Sequence, residues 1–437
     1  MLEPLRSNAP LRRLILAWLQ SCVGTGAGYV ALLLLTYRHL HTSWGVSAVL
    51  LAEFVPAIVL GSWFGLLADR HSKRALIVGA NIMQAAAYLA LATATSGALI
   101  IALALLAGVG NALQRPAMRA SITLVAGEAS QGAAALFSTS RWIGVTVGPL
   151  LAAGLLLITG LAVPLALNGL SFVVACVVIA TVPIAPLPAD GADADDARSR
   201  GILAGLREAF GSPGIGWLIA CSAGQVIGGG LLNVCEPIYA THVLRGSGSD
   251  YAALVTCYGG GMVIATTLVA RRGNATLRVL VNRYIASLAL MAAGMVGSAI
   301  VGSVALAAWT FAATGYGNGL LAVTETQVIL LRVASRVQGR LFGTKDMIEG
   351  IFFLTGLVAA APLIALMGVR ATLYEGAAVC AICAGAALLG LRGLRIAAAD
   401  ARVDPEGTDI GASHDAAGHL HADAAAITPA APPQALR

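Results

Sequence analysis

The stretch Gly65–Leu76, "GLLADRHSKRAL", crowds Asp69, Arg70, His71, Lys73 and Arg74 into a chain that otherwise avoids charge. Apolar runs flank it, "VSAVLLAEFVPAIVLGSWF" before and "IVGANIMQAAAYLALATA" after. A charged loop between two segments that could each cross a bilayer is the plan of a polytopic membrane protein. Composition agrees: of 437 residues, 58% are apolar and 11% charged, and mean hydropathy is +0.83. A soluble domain carries about 25% charge, so a water-soluble chain of this composition would have no way to cover its surface. Lipid is the solvent for most of it.

About 20 apolar residues cross roughly 30 Å of hydrocarbon. That window yields twelve spans, at about 12–35, 46–68, 75–95, 98–117, 134–158 and 161–183, then 214–240, 251–270, 279–301, 303–331, 345–367 and 371–391. The opening run "RRLILAWLQSCVGTGAGYVALLLL" stays apolar to Leu35. That exceeds the roughly 7–15 residues of a signal-peptide core, so it reads as span 1. Lys and Arg sort to one side: 21, among them Arg115, Arg119 and Lys345, fall on the side of the N-terminus, against Arg38, Arg245 and Arg370 on the other. The positive-inside rule then puts both termini in the cytoplasm and the chain in the cytoplasmic (inner) membrane. The net charge of +6 belongs to this collar against the lipid headgroups and gives no reason to invoke nucleic acid.

Residues 184–213, rich in Pro, Ala and Asp, read as a cytoplasmic linker between an N-terminal six-helix half (1–183) and a C-terminal one (214–396). The tail, 397–437, reads as disordered. The halves repeat: "GVGNAL" at 108–113 matches "GYGNGL" at 315–320, and Gln131-Gly132 matches Gln338-Gly339, both at an offset of 207. Two such repeats in the same orientation are a recurrent transporter plan, with the site at the midplane between them. The expectation is an all-α polytopic membrane protein, twelve transmembrane helices as two six-helix pseudo-repeats.

Gly65-x-Leu67-Ala68-Asp69-Arg70-x-x-Lys73-Arg74 resembles the signature between helices 2 and 3 of the major facilitator superfamily, with Ser72 where the second glycine usually stands. Residues 115–156, "RPAMRASITLVAGEASQGAAALFSTSRWIGVTVGPLLAAGLL", resemble the helix 4–5 region of its multidrug and siderophore exporters. The resemblance implies a monomer working by alternating access. It further implies that Asp69 faces the N-terminus of helix 11, where a carboxylate complements the helix dipole, as a latch with Gly65, Arg70, Lys73 and Arg74. Topology alone also explains the basic residues, but not Asp69. Gly144-x-x-x-Gly148-Pro149 resembles the exporter motif on helix 5 and implies a hinge or a packing surface.

An ionisable group at a helix centre costs about 2.5–3.5 kcal/mol to insert, so such groups mark functional, interior-facing positions. They are Glu53 in span 2, Arg141 in span 5, Glu236 near the outer end of span 7 and Glu325 in span 10, with Asp346 and Glu349 opening span 11. Glu53 and Arg141 are expected either to serve proton coupling and substrate binding or to form a structural pair. Glu325 stands opposite Met118 in the repeat, outside the shared scaffold, as a substrate or proton contact. Cys380-x-x-Cys383 resembles a redox or zinc pair but lies in a run of small residues suited to helix packing; no metal or cofactor is expected. There is no GxxxxGK[ST] loop to couple ATP, and no HExxH or GxSxG to suggest an enzyme. The functional expectation is a secondary active transporter, a proton-coupled exporter of an amphipathic small molecule such as a drug or siderophore. The alternatives are a facilitator or importer of a small metabolite, or a non-transporting sensor on the same fold.

Overall fold

A computed structural model describes residues 8–183, 214–271, 275–333 and 335–391; the expected linker and tail lie outside them. The described residues are helical throughout the spans, as lipid requires: it offers the backbone no hydrogen-bond partner, so each segment satisfies its own. Span 1 is Ala9–Leu40, span 3 Lys73–Leu91, span 4 Gly97–Ala126, span 5 Ser130–Ile158 and span 6 Ala162–Ala180. Span 2 is two helices end to end, Ser43–Val59 and Gly61–Arg70. They break at Leu60, one turn after Pro56. Span 7, Ile215–Ile238, ends in a π-helical turn, Tyr239–Val243; spans 8, 9 and 10 are Gly248–Arg271, Leu277–Ile300 and Val304–Arg332. Ser335–Gly390 is interrupted at Gly368, whose φ of 83° favours glycine, and this divides span 11 from span 12. Nine described helices are long and apolar enough to cross a bilayer. Dividing the last of them at Gly368 and adding spans 2 and 10 makes twelve crossings.

Helix boundaries overrun the apolar runs where spans 4 and 5 meet and where span 11 begins. Span 4 continues to Ala126 and span 5 begins at Ser130, so Arg115 and Arg119 sit on a helix rather than in a loop. Helical hydrogen bonds persist where hydrophobicity stops, which a hydropathy window does not register. Span 11 begins at Ser335, which puts Lys345 roughly three turns inside it and removes that residue from the collar.

The repeat is visible in contacts as well as letters. Gly110 of span 4 packs so closely on span 3 that a Cβ there would lie 2.7 Å from Gln84 Cγ and 3.1 Å from the Ala80 carbonyl. Gly317 of span 10 does the same to span 9, at 2.7 Å from Met291 Cγ and 2.9 Å from the Ser287 carbonyl. Each member of the second set lies 207 residues after its counterpart.

Buried apolar side chains make one cluster shared by both halves at the end away from Leu11 and Leu391: Val30, Leu33 and Leu50 with Leu231, Tyr251 and Leu357. At the other end, where Leu11 and Leu391 lie, there are two clusters, one around Leu14, Ile77 and Met118 and one around Leu218, Tyr284 and Leu321. The halves are therefore sealed at one end and parted at the other. The seal is also polar and aromatic: Tyr29 Oη donates to Asn233 Oδ1 at 2.7 Å, Ser43 Oγ to the Ala361 carbonyl at 3.1 Å, and Phe54 meets Phe353 edge to face at 5.3 Å.

Candidate functional site

Spans 7, 10 and 11 bring four polar side chains together in the C-terminal half. Span 10 buries Glu325, 2% exposed, against Lys345 of span 11, whose Nζ lies 3.2 Å from Glu325 Oε2 and 2.9 Å from Glu349 Oε1 one turn on. The Ser222 hydroxyl of span 7 lies 3.0 Å from Glu325 Oε2 and also contacts Glu349 Oε1. One hydroxyl carries one proton and donates to one acceptor at a time. Two carboxylates thus share one ammonium and one hydroxyl proton, and Glu325 Oε1 is buried with no partner. The group is short of positive charge by one, and an added proton would neutralise it.

Glu53 and Arg141 are not brought together. Span 2 packs on spans 4 and 11, span 5 on spans 1 and 8. Glu53 instead accepts from Tyr88 Oη at 3.5 Å, while Glu236 is buried in span 7. Arg141 is exposed to the gap between the halves, where its charge and that of Arg119 reach Asp346 on the facing span 11. Beside Arg141, a cavity of about 270 Å³ lies between span 5 and spans 8 and 10, walled by Trp142, Thr146, Met262, Thr266, Thr326 and Gln327. It touches both halves.

This twelve-span architecture, sealed at one end around a polar interior, is matched among known proteins. The profile of the Major Facilitator Superfamily aligns with residues 15–283. The chain belongs to that superfamily. As a superfamily member it is a multi-pass membrane protein with a transporter's fold. A search of curated protein sequences finds no match. Solved structures share the fold at low identity. One is a bacterial homolog of the human lysosomal transporter Spinster, inward-facing and unoccupied (14% identity, 91% of this chain and 98% of that one, TM-score 0.63). Another is the nucleoside transporter NupG (13%, 90% and 99%, TM-score 0.63). A third is a POT family transporter in complex with a thioalcohol conjugated peptide (10%, 88% and 96%, TM-score 0.67).

Within the superfamily signature, the side chains of Asp69 and Arg70 lie outside the described ones. Gly65 faces open space. Lys73 is buried rather than laid on headgroups, and Arg74 donates to the Ala180 carbonyl, so it caps the end of span 6. Gly144 and Gly148, with buried Pro149 beside them, press span 5 onto span 1. A Cβ at Gly144 would lie 2.5 Å from the Cys22 carbonyl, and one at Gly148 2.6 Å from Gly26 Cα. Gly230 and Gly356 join spans 7 and 11 in the same way, with Gly356 Cα 2.9 Å from a Cβ at Gly230. Lys345 and Ser222 are the site residues that sequence reasoning missed. A carboxylate inside span 10 demands a counter-charge, and Lys345 with Glu349 at i,i+4 was the available signal.

Proposed function

We propose that this chain is a secondary active transporter of the cytoplasmic membrane, a monomer with both termini in the cytoplasm. It exports an amphipathic small molecule in exchange for protons, by alternating access. The observation that carries the reading is the Ser222–Glu325–Lys345–Glu349 cluster, two buried carboxylates sharing one ammonium. An ion group left one proton short, in a medium that penalises net charge, binds and releases a proton as its surroundings change. The parted end supplies that change. When the halves close there, Arg119 and Arg141 approach Asp346, next to Lys345, and the field on the cluster shifts. Asp69, which the resemblance to the superfamily signature sets against the N-terminus of span 11, would hold the closed state as a latch. Export rather than import is supported by the likeness of residues 115–156 to exporters, and an amphipathic substrate by the largely apolar cavity between spans 5, 8 and 10.

The test uses everted membrane vesicles acidified inside by respiration and read by a pH-sensitive dye. Lipophilic cations, macrolides, siderophores and lysolipids are added in turn. At least one is expected to collapse the proton gradient with the wild-type chain and none with Glu325→Gln at equal membrane abundance. Substrate movement without proton flux would reassign the protein to facilitated transport. Unchanged flux in Glu325→Gln would remove the cluster from coupling.

A further inference from the structure

Spans 5 and 8, one from each half, meet closely at one level and part beyond it. A Cβ at Gly259 of span 8 would lie 3.0 Å from Thr146 Cα of span 5 and 3.1 Å from the Val145 carbonyl. On one side of this contact the helices enter the shared seal, which takes Ala152 of span 5, Val255 of span 8 and Phe311 of span 10. On the other side lies the cavity of about 270 Å³, lined from positions 142–146, 262–266 and 319–327. Those positions lead toward the clusters of the parted end, which hold Ala133 of span 5 and Leu321 and Val328 of span 10. Spans 8 and 10 stay together there, since a Cβ at Gly319 would lie 2.7 Å from the Met262 carbonyl. The cavity is thus the inner angle of a fork, with span 5 as one arm and spans 8 and 10 as the other.

The lining of the fork carries no charged side chain, and Trp142, Val145, Met262, Val263 and Val323 make it largely apolar. Three threonines line it, but each donates its hydroxyl proton to its own helix: Thr146 to the Trp142 carbonyl at 3.1 Å, Thr266 to that of Val263 at 3.0 Å and Thr326 to that of Ala322 at 2.8 Å. Gln327 differs. Its Oε1 is buried with no hydrogen-bond partner, and a buried acceptor left unsatisfied is costly.

We propose that the fork binds an uncharged aromatic molecule of about two fused rings with one N–H or O–H donor, and that this occupant holds the parted end open. The size follows from the cavity. An apolar cavity of about 150 Å³ takes one benzene ring, so about 270 Å³ has room for a second. The Trp142 indole offers a ring partner and the Met262 thioether a sulfur contact, while the donor goes to Gln327 Oε1. A charged ligand finds no countercharge in the lining and is penalised. Trp142 and Val263 are exposed, which leaves the fork open to entry. Closing the parted end brings the arms together, so an occupant acts as a wedge and denies a larger substrate the apolar wall. The effect on transport rests on the transport reading above; the binding does not.

The full-length chain in lipid nanodiscs is titrated with radiolabelled indole and, separately, with radiolabelled benzofuran, which has the same two-ring shape with a ring oxygen in place of the N–H; empty nanodiscs correct for partitioning. Indole is expected to bind about tenfold more tightly. Gln327→Leu is expected to bring indole down to the affinity of benzofuran, and Val145→Phe, which fills the fork, to abolish the binding of both. Equal binding of the two compounds by the wild-type chain overturns the proposal and assigns the fork to any apolar occupant, such as a lipid chain. Binding of neither, or unchanged indole affinity in both variants, also overturns it. The comparison of the two compounds uses the wild-type chain alone, so a variant that fails to fold does not leave the question open. In everted vesicles, indole is expected to slow substrate-driven proton exchange, half-maximally at the concentration that half-fills the site in nanodiscs. Indole bound without slowing exchange overturns the wedge. Selective indole binding by a chain that exchanges protons with no substrate overturns the antiport reading and upholds the site.

Discussion

Between spans 3 and 4 the N-terminal half buries an amide chain: Gln84 Nε2 donates to Gln114 Oε1, and Gln114 Nε2 to Asn81 Oδ1, each at 2.9 Å. At the offset of 207, spans 9 and 10 of the C-terminal half carry Leu288, Met291 and Leu321 in their place, all buried. That second half spends its polarity elsewhere, on Glu325 with Lys345, Glu349 and Ser222, where the first half has Met118 opposite Glu325. Equivalent helix pairs thus accept amides or methyls alike, which marks the amide chain as one solution to packing. The charged cluster belongs to the second half alone and is not saturated, since Glu325 Oε1 has no partner. A neutral chain of amides neither takes up nor releases a proton at ordinary pH, whereas a carboxylate can take one up and release it again.

The sharpest break in that contrast is Lys345→Met. It leaves two carboxylates, one of them 2% exposed, without their ammonium. Removing one partner of a buried ion pair costs about 3–5 kcal/mol. The purified variant is expected to unfold well below the wild-type temperature and to lose substrate-driven proton exchange. Adding Glu325→Gln to it is expected to restore most of the thermal stability but not the exchange, since one buried charge goes with each substitution. A wild-type unfolding temperature for Lys345→Met alone would mean that the cluster is solvated and the contrast between the halves is false.

A smaller effect is expected from Gln114→Leu, which gives the first half the residue the second half uses at that position. The change strands Asn81 Oδ1, while Gln84 Nε2 keeps its 3.3 Å bond to the Ala80 carbonyl. A buried polar group left without its partner costs about 1–3 kcal/mol. Unfolding in detergent should report that loss, with proton exchange per folded molecule unchanged. Exchange falling in proportion to the substitution would place the amides in the transport path.

Much of this was legible in the letters because lipid is a simple solvent. Spans appear as apolar runs, and the charged loop at Asp69–Arg74 stands out against them. The offset of 207 picked out glycines that make the same helix contact in both halves. Lys345 was legible as a site residue only through its i,i+4 spacing to Glu349. It lies in "GRLFGTKDMIEG", ahead of the strongly apolar part of span 11, and hydropathy assigns such a lysine to the collar. What buries it is the packing of span 11 on span 7, beside span 10, a tertiary fact that a window along one segment does not contain. Ser222, one hydroxyl among many in the spans, gave no signal at all. The pairing of Glu53 with Arg141 looked open because both are charges within spans of one half; it fails because spans 2 and 5 pack on different neighbours.

The least disruptive change should be the most extensive one. Asn81→Leu, Gln84→Met and Gln114→Leu together would convert the amide chain into the apolar set that spans 9 and 10 already pack at Leu288, Met291 and Leu321. Each single substitution orphans a partner, whereas the triple one leaves no stranded amide among the three, and replacing all members of a buried polar group by apolar ones of similar shape is close to neutral. The costs are therefore strongly non-additive, as they are for residues in one network. The triple variant is expected to unfold within about 1 kcal/mol of wild type, above the single Gln114→Leu, and to exchange protons normally. A triple variant less stable than the single would show that the amides fix the helix register in the first half, so that the two halves, alike in backbone, differ in what their interiors are for.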